Sequence, residues 1–456
     1  MGMRNRASTV VVVLVTALTA SLLPPVATAA SSASKADIQA LQAQMLALAE
    51  RLDRLEAANT QLKGENSELR AAVEQRDAEA AELRQQTVHL QEQAAATQAD
   101  LGKVKGTEWA SRIKARGDLR YRHETIWSER DVSGEATSAP NRDRDRLRAR
   151  LGFDATITPN VSGTLQLATG GDDPRGTNQT LGGTSSRKNI GLDLAYADWR
   201  FMPGGNLVLG KQPYPVWRPT RALFLDPDVN PEGGSLRFSR GPFFATAYGF
   251  WVSEQYSADP QGDNTDAHIF GAQAGIKIPA FGGETVVAVK YSDCGACQDH
   301  SPLYANNANG NTTYRVGTVN VLQYDYDIVD IESQVNVTLF DLPVAFTAGF
   351  ARNLAAGVEY DTAYQLGAYI GRAQDPRTWE LGAMYQSVDK DAQFGQITDS
   401  DFGGGLTDSQ GWVLRGGYAP TKNILLNATW FINTYNKDVG TELQFDRLHL
   451  DVNYRF

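Results

Sequence analysis

The chain has 456 residues, a formal net charge of −10 and two cysteines. It is too long for one small domain, and its acidic balance argues against general nucleic-acid binding, which needs a basic footprint. Forty-two glycines and a C-terminal half of short alternating runs fit an all-β protein.

Residues 1–30 read as a signal peptide. Arg4 and Arg6 give a positive start, Val10 to Leu23 is mostly apolar, Pro24 and Pro25 break the run, and Ala27-Thr28-Ala29 is a small-x-small cleavage site. A retained anchor is the alternative, but the run falls short of the ~20 apolar residues a spanning helix needs. No later stretch is apolar over that length. The mature chain is therefore soluble or crosses a membrane as strands.

From Ile38 the apolar positions step by three and four. The a positions are Ile38, Met45, Leu52, Asn59, Asn66, Val73, Ala80, Thr87, Ala94 and Leu101; the d positions are Leu41, Leu48, Leu55, Leu62, Leu69, Arg76, Leu83, Leu90, Thr97 and Val104. Ten heptads in one register, without proline, predict an α-helical coiled coil over 38–104. One helix alone would leave this seam wet, so the pattern predicts oligomerisation and leaves the number of chains open. Asn59 and Asn66 fix register at some cost in stability, and Arg76 weakens the second half. The rod would be on the order of 100 Å long.

Beyond Trp109 the period falls to two. Ile113, Ala115, Gly117, Leu119 and Tyr121 alternate with Arg112, Lys114, Arg116, Asp118, Arg120 and Arg122. Leu147, Ala149, Leu151, Phe153, Ala155 and Ile157 alternate with Arg146, Arg148, Arg150, Asp154 and Thr156. One apolar and one charged face suits a wall between lipid and water. A soluble sandwich also alternates, but rarely sets five cations along one face of one strand.

Further strands fall near 160–169, 191–202, 205–213, 233–240, 242–254, 267–279, 284–292, 326–340, 343–354, 361–373, 376–388, 410–419, 422–435 and 443–456. With the first two segments these predict an all-β transmembrane barrel of about 16 antiparallel strands over 111–456. Fourteen or eighteen stay open, because the segments at 160–169, 205–213 and 233–240 alternate less cleanly. Short turns such as Pro203-Gly204-Gly205 and Asp341-Leu342-Pro343 alternate with long polar loops, as expected when one rim has tight periplasmic turns and the other extended outer loops. Aromatics such as Trp127, Trp199, Trp412 and Trp430 collect near strand ends, like interfacial girdles.

Cys294 and Cys297, in Asp-Cys-Gly-Ala-Cys, predict a disulfide closing a tight loop in an exported protein. A metal site would need two more ligands; His300 is near, a fourth is not evident, and neither metal nor other cofactor is expected. Asp259 to Asp266 is acidic but lacks EF-hand spacing and reads as solvated loop. A barrel enzyme would need a nucleophile beside its base. The five histidines are scattered and no Gly-x-Ser-x-Gly motif occurs, so the chain is not expected to be an enzyme.

The run Gly117-Asp118-Leu119-Arg120-Tyr121-Arg122-His123-Glu124, then Arg142 to Gly152, resembles the opening strand pair of the putative porin family of Gram-negative bacteria. Asn189 to Arg200 and Leu209-Gly210-Lys211-Gln212 also fit. The closing Tyr454-Arg455-Phe456 is similar to the signal by which outer-membrane barrels are recognised for assembly. The resemblance covers roughly 110–456 and implies a homotrimer, an outer-membrane location and passive diffusion. A coiled coil before the barrel recurs in related trimeric porins, including some that favour dicarboxylates.

A pore conducts according to its width and lining charges. The lumen face of the first segment carries Arg112, Lys114, Arg116, Arg120 and Arg122; the next carries Arg144, Arg146, Arg148 and Arg150. Strands about 4.8 Å apart gather these into a patch that attracts carboxylates and phosphates, which arginine holds bidentately. Simple neutralisation by Asp118, Asp143, Asp145 and Asp154 is the competing reading. The third long loop, Tyr214 to Gly234, is the candidate constriction, since in resembling porins that loop folds into the barrel. It carries Arg218, Arg221, Asp226, Asp228 and Glu232, with Trp217, Leu223, Phe224 and Leu225 to pack it on the wall. An ordinary surface loop is the alternative.

The expected protein is thus a Gram-negative outer-membrane porin with its coiled coil in the periplasm. It would pass small hydrophilic solutes, with a preference for anions or carboxylates. The alternative function is a structural tether whose rod joins the membrane to peptidoglycan. Expected partners are outer-membrane lipid, two further copies of the chain and the solutes themselves, with no nucleic acid.

Overall fold

The computed structural model describes residues 35–103, 110–254, 265–303 and 307–456. The signal segment, Val104 and most of the 259–266 stretch lie outside these residues. The chain divides into two units between Lys103 and Val104.

The first unit is one helix, α1 (Lys35–Lys103). Its polar faces are tied by i,i+4 contacts such as Gln61 to Glu65 at 3.0 Å. Among the described residues of α1 the apolar seam is exposed, with Leu52 at 55% and Leu69 at 64%. Among the described residues no helix is long and apolar enough to cross a membrane.

The second unit is a closed barrel of sixteen antiparallel strands. They are β1 (Ile113–Val132), β2 (Arg142–Thr158), β3 (Val161–Thr169), β4 (Ile190–Met202), β5 (Gly205–Lys211), β6 (Glu232–Arg240), β7 (Phe243–Ser253) and β8 (Ala267–Ala280). β9 (Gly283–Gly295), β10 (Asp327–Leu339), β11 (Leu342–Asn353), β12 (Thr362–Gly371), β13 (Thr378–Val388), β14 (Ser409–Thr421), β15 (Ile424–Tyr435) and β16 (Leu443–Arg455) complete the wall. Each pairs with its neighbour in sequence, and β16 returns to β1 with Asp118 opposite Arg455 and Ser128 opposite Phe445. Closure removes both sheet edges, which lipid could not hydrogen-bond. All sixteen segments expected from the alternation are present, including the three less regular ones.

The alternation sets the faces. Leu119 and Tyr121 stand 43% and 44% exposed on the outside, while Arg122 and Glu124, on the alternate positions that follow, are 7% and 0% exposed. Tight turns close the rim opposite the long loops. At Gly204, φ is +79°, and a Cβ there would lie 2.1 Å from the Ser239 carbonyl, so the β4–β5 turn admits no side chain.

Not all of the bore is wet. A buried apolar cluster that includes Tyr214, Phe224, Tyr248, Phe250, Tyr326 and Phe394 joins inward side chains of β7–β13 to three outer loops. The described parts of these loops are residues 212–231, 296–303 with 307–326, and 389–408. A buried Phe or Leu contributes roughly 1.5–3 kcal/mol, so the loops are held as a packed core rather than as solvated hairpins. The expected disulfide is formed between Cys294 and Cys297, both buried in this cluster.

Candidate functional site

One wall of the bore is ionic. Across β1 and β2, Asp118 stands opposite Arg150, Arg120 opposite Arg148, Arg122 opposite Arg146 and Glu124 opposite Arg144. Like charges directly opposite are unfavourable, and the alternate carboxylates offset them. Asp118 accepts from Arg148 and Arg150 at 2.7 and 2.9 Å. Glu124 accepts from Arg144, and from Arg146 at 3.3 Å. β16 extends the network: Arg122 donates Nε and Nη2 to the two Asp451 oxygens at 2.7 and 3.0 Å. His449 Nε2 lies 3.2 Å from Glu124.

The opposite side is built by loops. The 212–231 loop crosses the bore on a row of inward amides. Gln273 Oε1 accepts from Trp217 N at 2.7 Å, Gln334 Oε1 from Thr220 N at 2.7 Å, and Gln365 Oε1 from Leu223 N at 3.1 Å. Buried backbone groups need such partners. Arg221 ends the row on Glu380 at 3.0 Å. The loop then meets the 389–408 loop: Asp226 N donates to Ile397 O at 2.8 Å, and Ser400 N donates to Asp226 Oδ2 at 2.9 Å. Arg175, from the 170–189 loop, donates to the Gly395 and Gly405 carbonyls at 3.2 and 2.9 Å.

Between wall and loops lies a cavity of about 800 Å³. Of the expected cationic strip, Arg120, Arg122, Arg148 and Arg150 line it, and of the expected loop residues Arg218, Arg221, Asp226 and Asp228 do. The others are placed elsewhere. Arg112 is not on a strand: it ends a short 3-10 turn before β1 and is exposed. Lys114 is exposed near the start of β1, opposite Asp154. Arg116 is spent on Asp154 at 2.9 Å and Gln166 at 2.5 Å. Arg144 and Arg146 are inside the barrel but are spent on Glu124. Glu232 is not a loop residue: it opens β6 and pairs with Lys211 at 3.1 Å, on the outward parity of Leu236.

The sequence reading missed Arg175, Arg415, Asp399 and Asp401, which also line the cavity. Arg415 was readable from the alternation of β14. Asp399 and Asp401 lie in the long polar loop between β13 and β14, whose local sequence signals are the apolar Phe394, Ile397 and Phe402.

Burial, then the adjacent Asp399 and Asp228 carboxylates, pushes the Asp226 carboxyl well above the usual range. Burial and the Asp401 charge raise Asp399. Burial would raise Asp401 as well, yet His449, Arg447 and Arg122 together hold it well below the usual range. The loops thus present one firm anion and two carboxyls biased toward neutrality. Glu124, Asp401 and His449 place donor atoms within 4.8 Å of one another. Arginines already occupy their carboxylate oxygens, so the trio reads as an ion-pair hub rather than a cation site.

The family model described as "Putative porin" matches residues 133–311 and 315–456. The chain belongs to that family. No curated protein sequence matches it. Among solved structures the porin is similar to Pseudomonas putida OprB at high pH, with 13% identity, a TM-score of 0.49, and 78% of this chain and 97% of that one covered. It is similar also to Salmonella typhi OmpF in complex with daunomycin, at 13% identity, TM-score 0.44, 75% and 97% covered. A loop-deletion mutant of Vibrio cholerae OmpT gives 11% identity, TM-score 0.43, 76% and 100% covered. Membership of the family, with the closed barrel, supports an outer-membrane porin channel.

Proposed function

We propose that this porin is a passive channel that prefers anions, carboxylates among them. One observation carries the reading: the cavity is lined by nine arginines against six carboxylates, in a chain whose overall charge is −10. The surplus is therefore local to the bore. Among the described residues, Arg120 bonds only to Asn178, at 2.5 Å, and Arg415 has no carboxylate bond. Their charges remain available to a passing anion, which a guanidinium binds bidentately. Reversal potential across a planar bilayer under a KCl gradient tests the reading: a chloride-selective sign supports it, and a cation-selective sign overturns it.

The residues before the barrel support a second, compatible role. An export signal over 1–30 would deliver the chain to the periplasm. The exposed seam of α1 suits self-association, as a homotrimer, into a periplasmic coiled coil that reaches toward peptidoglycan. Deleting 38–104 is expected to leave an open pore while weakening the trimer on native gels or loosening the membrane from the cell wall.

A further inference from the structure

The geometry points to Asp401 as the positioning residue that fixes how wide the bore is. The loop 389–408 has two differently held parts. Its first part is tied to other loops: Thr312 N and Oγ1 donate to Asp391 at 2.8 and 2.5 Å, and Asn311 Nδ2 donates to the Lys390 and Gln393 carbonyls at 2.9 Å each. Its tip, residues 399–405, leaves that packing and crosses the inner face of β14–β16. There Asp401 meets the seam where the barrel closes. It pairs with Arg447 of β16, with Arg122 of β1 at 3.3 Å, and stands 3.9 Å from His449 Nδ1. The same Arg447 guanidinium donates to Ser400 O at 3.3 Å. Behind Asp401, Phe402 is 2% exposed and Gly403 N donates to Asn433 at 3.0 Å.

Ser400 N on Asp226, Arg175 on the Gly405 carbonyl, the buried Phe402 ring and Gly403 N on Asn433 also hold the tip, but Asp401 is its ionic tie to the closing strands. Gly403, Gly404 and Gly405 follow in sequence with φ of +55°, +74° and +81°, a run that confers no stiffness of its own. Removing the carboxylate would leave Arg447 without its anion and Arg122 with only Asp451, an arrangement in which like charges repel and the tip loses its ionic contact with the wall. Asp401 thus acts on the permeating solute through the position of the tip, in addition to contributing one negative charge. The inference rests on the channel reading, not on its anion preference.

Two substitutions separate these actions. Asp401→Ala and Arg447→Ala each cut the same bond, from opposite sides. In full-length protein in planar bilayers, both are expected to raise single-channel conductance by about 1.5-fold or more. Asp401→Ala should move the reversal potential toward anions, and Arg447→Ala away from them. Swelling of liposomes in neutral oligosaccharides should extend to larger sugars in both. Opposite selectivity shifts with unchanged conductance and unchanged sugar cut-off would make Asp401 a lining charge only and overturn the proposal. Asp401→Asn, which keeps size and loses charge, gives the same readout if the alanine variant fails to assemble: wild-type conductance in it would equally overturn the proposal. A cation-selective wild type would refute the anion preference and leave this test intact.

Discussion

The β16–β1–β2 wall and the β7–β13 wall enclose one cavity with different chemistry. The first is a lattice of alternating charges in which Asp118, Glu124 and Asp451 each hold one or two arginines. The second is largely dry, with glutamines carrying a loop backbone and rings such as Tyr326 and Phe394 packed 5.3 Å apart. Water and ions therefore pass along one side of the barrel, while the other side supports the elements that narrow it. On the proposed reading the ionic side would set which solutes pass, while the loops carried by the dry side, pinned at their tip to the ionic wall through Asp401, would set how much room they have.

That division is broken most strongly by a cut on the dry side. Phe394→Ala removes a ring that joins the 389–408 loop to Tyr326 and the buried disulfide. A buried Phe→Ala change costs about 3–5 kcal/mol. The expected result is a lower temperature for the heat-induced shift of the barrel on gels and a noisier channel, with little change in ion preference. A clean selectivity shift without loss of stability would show that the two walls do not divide the work in this way.

The ionic side gives an intermediate effect, and one that discriminates between arginines. Arg120, with no carboxylate of its own, is expected to matter more than Arg116, which is offset by Asp154. Arg120→Ala should move the reversal potential toward cations by several millivolts, and Arg116→Ala by much less. Neither should alter assembly greatly, since the Arg116–Asp154 pair is exposed and contributes little to stability, and Arg120 has, among the described residues, no ion pair to lose. Equal shifts from both would mean that local pairing does not decide which charges a solute feels.

The two walls also differ in how far the sequence revealed them. Strand alternation of period two is a local property, so every barrel strand and the inward parity of Arg120, Arg148 and Arg150 were legible. Partners were less so: Arg122 finds Asp451 across the barrel closure, at a separation of 329 residues that no local pattern encodes. The loop 212–231 was expected to turn inward from the family resemblance, with Leu223, Phe224 and Leu225 available to pack it. The loop 389–408 was not, because its polar residues are satisfied by distant amides, such as Asn311 for Gly395 N at 2.8 Å, and so look in sequence like solvated ones. Arg112 and Glu232 were misplaced for a simpler reason, that element ends cannot be fixed by alternation alone.

The smallest effect lies where the two loops meet. Burial, with Asp399 and Asp228 beside it, raises the Asp226 carboxyl. Its protonated form is therefore the one that favours the packed junction. The stabilisation it offers is complete below the ordinary carboxylate pKa of about 3.9 and is lost as pH rises through the raised value. Asp401 has the opposite sign: its contribution is present above the ordinary range and is lost only as pH falls through its depressed value. Between these limits, mild acidification should tighten the junction without releasing the tip. Amide exchange across 223–228 is expected to slow modestly as pH falls from neutral toward the ordinary carboxylate range, beyond the intrinsic pH effect, and in Asp226→Asn that extra dependence should vanish. Retention of it in the variant would place the titrating group elsewhere in the cavity, and so weaken the distinction between a tuned loop side and a permanently charged wall.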